Sequence, residues 1–195
     1  MNRELNAKEK FLVQNYETYY ELTEIENGLR RRLNGLIDAV EKDIRDQRWS
    51  KGLNIDIRDR QDSVEFAIWK ETWTNTGKKA KNLDGAAGFW FQRFSIKNMF
   101  HEGEEKPFAG IWIKHLLKSK SQEEKIREFK AMKLNSKKAF LEDSNYFFYY
   151  FLNPKDWIEA LNNKDIFIDF IRAEAKYLVV NFADKLDKIS RQFKR

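Results

Sequence analysis

Apolar residues recur at steps of three and four along the chain from Leu22: Leu22, Ile25, Leu29, Leu33, Leu36, Val40 and Ile44. That spacing is the signature of one stripe on an α-helix and predicts a helix reaching about Arg48. Upstream, Asn6 and Glu9 stand at capping-box spacing, where the Asn side chain accepts from orphan N–H groups and the Glu reaches back. Phe11, Leu12, Tyr16, Tyr19 and Tyr20 then follow along one side. Thr23 and Glu26 repeat the capping spacing, so the helix either breaks there or runs through. Gly28 and Gly35 lie inside the pattern at about 1 kcal/mol each relative to Ala; their expected use is to admit a neighbouring backbone. Leu33 and Leu36 are expected to be core. Where so long a row is not covered, it serves as an oligomer or partner surface, so oligomerisation through the N-terminal helix is one expectation.

The period changes from 3.6 to 2 after Gly52, a plausible helix stop. Leu53, Ile55 and Ile57 alternate with Asn54, Asp56 and Arg58, and Val64, Phe66 and Ile68 alternate with Glu65, Ala67 and Trp69. Each reads as a strand, joined by the charged turn Arg58–Asp62. Asn75–Gly85 is a loop with turn residues at both ends, and His101–Pro107 is a second, acidic one. Between and after them Gly88–Ile96 and Phe108–His115 read as strands. Ser121 and Glu124 open a short helix through Lys133. Asn145–Leu152 reads as a last strand or as a buried helical turn, which periodicity alone does not separate. Asn153-Pro154 has the form of an N-cap followed by a first-turn proline. Phe167, Ile171, Ala175, Leu178, Phe182, Leu186, Ile189 and Phe193 then mark a closing helix. The expected fold is a single α+β domain over residues 1–195, with a central antiparallel sheet of four or five strands packed by long N- and C-terminal helices. Residues 1–48 are helical, 53–117 strand-rich, and 121–195 mainly helical with one strand near 145–152.

Composition narrows the chemistry. The chain has no Cys, which excludes disulfides and thiolate metal sites. The N-terminus is charged and lacks the apolar run of a signal peptide. The longest uncharged run, Ser144–Pro154, is too short for a membrane span. The expectation is a soluble, cytoplasmic protein with no membrane contact.

The formal net charge is +6, and its distribution says more than its size. Nine bases (Lys114, Lys118, Lys120, Lys125, Arg127, Lys130, Lys133, Lys137 and Lys138) face three acids (Glu123, Glu124 and Glu128) in one segment. The excess there equals the excess of the whole chain. Such a segment is a candidate contact for a nucleic acid or an acidic protein surface, against the plainer reading of a solvated helix.

Catalytic motifs are not evident. His101 and His115 lack the spacing a metal site needs, and Gly85–Gly88 fits neither phosphate-loop pattern. No metal ligand, cofactor or catalytic residue is assigned. Asp56, Glu65 and Glu71, with Lys70 beside them, are the remaining carboxylates on strands. The long helix followed by VEFAIWKETW resembles the small α+β region after the catalytic core in some bacterial and phage PD-(D/E)xK nucleases. It covers about the first third of the chain, and that family's catalytic residues have no counterpart here. Trp69 and Trp73, four apart, would share one face of a regular strand with Trp90 and Trp112 on neighbouring strands. They are candidates for stacking on bases, with core packing as the plainer reading. The functional expectation is a non-enzymatic binding or regulatory protein of bacterial or phage type that occupies a protein or nucleic-acid partner through its basic surface. The alternative is a nuclease-like enzyme or accessory subunit using the strand carboxylates and the basic helix.

Overall fold

A computed structural model describes residues 6–60, 63–74, 79–100, 105–113, 116, 138–143 and 147–191. The capping box forms as the spacing predicts: Asn6 Oδ1 accepts from the backbone of Lys8 and Glu9, and Glu9 accepts from Asn6 N at 2.7 Å. It opens α1 (Ala7–Gln14), which passes at Asn15 into α2 (Tyr16–Asp46). Thr23 does not break α2; its hydroxyl donates back to the Tyr19 carbonyl at 2.9 Å. A short turn, Arg48–Ser50, and Gly52 at φ +78° end the helical region. Glycine is the residue that takes this left-handed geometry without a Cβ clash.

Six strands form the sheet: β1 (Asn54–Asp59), β2 (Val64–Trp69), β3 (Gly88–Phe94), β4 (Phe108–Trp112), β5 (Leu141–Asp143) and β6 (Phe147–Phe151). Their order is β1-β2-β3-β4-β6-β5, and every neighbouring pair is antiparallel. The sheet thus exceeds the expected four or five strands by a three-residue edge, β5. Within the ambiguous stretch 145–152, Phe147–Phe151 form strand β6, inserted between β4 and β5. A short helix α3 (Ile96–Phe100) follows β3. After β6 come α4 (Trp157–Asn162) and α5 (Lys164–Arg191). Asp156, rather than Asn153, caps α4, accepting from Ile158 N at 2.7 Å.

The two sheet faces differ in what covers them. Ile55, Phe66, Ile68, Phe89, Phe91, Ile111, Phe148 and Tyr150 join one buried cluster with Leu33–Ile44 of α2 and Phe167–Ile189 of α5. Ala67, Trp69, Trp90, Phe108 and Phe147 form a second, smaller cluster on the opposite face with Ala86. Every residue of β2 is buried, Glu65 on this second face included. Aromatic rings pack edge to face there, such as Phe108 and Phe147 at 5.6 Å. Gly110 makes room for them: a Cβ built on it would stand 2.7 Å from the Phe148 carbonyl oxygen and 2.8 Å from the Phe147 ring. Gly28 and Gly35 serve no such purpose, since a Cβ at Gly35 meets nothing within 4 Å.

Candidate interaction surface

Helices α2 and α5 run in the same direction, side by side. Arg32 donates from Nε to the Leu161 carbonyl at 2.7 Å, and Arg172 donates to Asp43 Oδ1 at 2.8 Å; both links join residues 129 apart. At that offset Lys164, the first residue of α5, stands level with Gly35. The part of α2 before Gly35 therefore has no α5 beside it. Its last anchor is Arg30, which donates to Asp59 Oδ1 and to the Arg60 carbonyl, each at 2.8 Å. A groove of about 430 Å³ lies where the helix leaves the sheet, lined by Glu26, Arg30, Leu33, Phe94 and Lys97 among others.

Residues Ala7–Leu29 consequently form an arm, about 35 Å long at 1.5 Å per residue. The apolar stripe crosses this boundary without changing face. Leu33 is 1% exposed and Val40 0%, whereas Leu22 is 61% exposed, Ile25 59% and Phe11 65%. At 100° per residue Phe11, Leu22, Ile25 and Leu29 lie on the same side of the helix as Leu33, Leu36 and Val40. Tyr16 and Tyr20 stack on the flank, centroids 6.4 Å apart, and are also exposed. One row of side chains is thus core over its C-terminal half and uncovered over its N-terminal half.

The basic segment contributes less to the described surface. Lys114, Lys118, Lys120, Lys125, Arg127, Lys130, Lys133 and Lys137 lie outside the described residues, as does the expected helix from Ser121 to Lys133. These positions fall within the connection from β4 to the edge strand β5. Lys138, its last residue, docks against α5: its Nζ pairs with Glu174 Oε1 at 2.8 Å and sits 4.9 Å from the centroid of the Tyr150 ring. Tyr150 donates its hydroxyl to Glu174 Oε2 at 2.7 Å. Burial, and then the adjacent Glu174 charge, push the Tyr150 phenol far above the ordinary tyrosine value.

Trp69 and Trp73 do not share a face. Trp69 ends β2 within the cluster opposite the helices and donates to Asp56 Oδ2 at 3.0 Å. Trp73 lies beyond the strand, after a turn closed by its own N–H on the Lys70 carbonyl, and is fully buried on the helix side. The four-residue spacing misleads because the chain stops being a strand after Trp69.

The strand carboxylates are likewise apart in chemistry. Asp56 accepts from Trp69, Glu65 pairs with Arg60 at 2.9 Å, and Glu71 pairs with Lys79 at 2.9 Å. Glu71's hydrogen bond, then its charge, hold Lys79 above the ordinary lysine value. Among the described residues no three His, Cys, Asp or Glu side chains are grouped to hold a metal ion. No helix among them is long and apolar enough to cross a membrane. Comparison with protein-family models, curated proteins and solved structures returns no match.

Proposed function

We propose that this is a non-enzymatic binding protein that acts by occupying a macromolecular partner, with the N-terminal arm as its docking element. The supporting observation is the uncovered half of the α2 stripe, Leu22 and Ile25 being 61% and 59% exposed in the same row as buried Leu33 and Leu36. Most helical stability in proteins comes from packing an apolar face, so a row of apolar side chains held out from the body gains stability when something covers it. Helix-in-groove recognition uses anchors at this i, i+3, i+7 spacing. The concentrated charge of Lys114–Lys138 suits an acidic partner surface, protein or nucleic acid, and would hasten encounter with it. A cytoplasmic regulatory or inhibitory role fits this reading. The nuclease-like alternative would draw on Asp56, Glu65 and Glu71, which are already engaged in three separate pairs.

The test is capture from native cell extract, with and without nuclease treatment, using the full chain and a variant carrying Phe11→Ser, Leu22→Ser and Ile25→Ser. Loss of the captured partner in the variant is expected. Equal capture by both proteins would overturn the arm as docking element.

A further inference from the structure

We draw no further inference here: the strongest candidate, the half-buried aromatic row of Trp112, Tyr149 and Phe151 on the sheet face opposite α2 and α5, carries nothing, because nothing in the structure shows what covers it.

Discussion

The indole of Trp73 donates from Nε1 to Asp187 Oδ1 at 2.8 Å, tying the turn after β2 to the last part of α5. Lys70 Nζ reaches the same carboxylate at 2.9 and 3.0 Å. Trp73 is fully buried, with Phe89 edge-on at 5.4 Å, so its N–H has no route to water. Removing the acceptor leaves a buried donor unsatisfied, which costs more than the net worth of the bond itself. Asp187→Ala should therefore lower stability by about 2–3 kcal/mol, while Lys70→Met, at a more exposed partner, should cost under about 1 kcal/mol. Urea unfolding of both variants checks the order. A reversed order would place the stability in the ion pair rather than in the indole bond.

Along the α2 stripe, identical chemistry should give opposite results on the two sides of Arg30. Leu33→Ala opens a cavity in a packed core and should cost about 2–5 kcal/mol. Leu22→Ala, at a residue 61% exposed, should change the unfolding free energy of the free chain by less than about 0.5 kcal/mol. Equal losses would mean that the arm is folded against the body.

Two glycines should also part company. Gly110→Ala drives a methyl into the Phe148 carbonyl and the Phe147 ring, so it should destabilise by about 1–3 kcal/mol or fail to fold. Gly35→Ala adds a methyl in open space within a helix and should stabilise by up to about 1 kcal/mol. Thermal melts separate the two signs directly.

The Tyr150 phenol gives a pH signature. Its value in the folded chain is raised by burial first and by Glu174 second, while in the unfolded chain it is near the ordinary value of about 10. Its neutral form is kept by the folded state, so the contribution is full below about pH 10 and is lost as pH rises further. Over the alkaline range the wild type should lose stability faster than Tyr150→Phe, by about 1.4 kcal/mol per pH unit. Parallel pH profiles would show that the phenol ionises in the folded protein.

How far these features were legible in the sequence depends on their range. The Asn6–Glu9 cap and the α2 and β2 periodicities are local, and each appears where its spacing puts it. Sequence leaves the strand at Phe147–Phe151 ambiguous because aromatics line both of its faces, which erases alternation. Strand periodicity misplaces Trp73 because the direction of its side chain is set by a turn and by an acceptor 114 residues away. Asp56, Glu65 and Arg58 are polar, but they are spent on Trp69, Arg60 and the Trp90 ring, the last with its guanidinium 5.3 Å from the centroid. Nor does the stripe itself announce where it stops being core. That boundary is set by where α5 begins, through the Arg32 and Arg172 links, and it is the boundary that defines the arm.

Hydrogen exchange along α1 and α2, for the chain alone and with its captured partner, tests the arm as a contact surface most directly. Amides over Leu33–Ile44 should be protected equally in both, because the core covers them. Those from Phe11 to Leu29 should exchange rapidly in the free chain and become protected when the partner covers the row. Protection of Phe11–Leu29 that is the same with and without partner would contradict it.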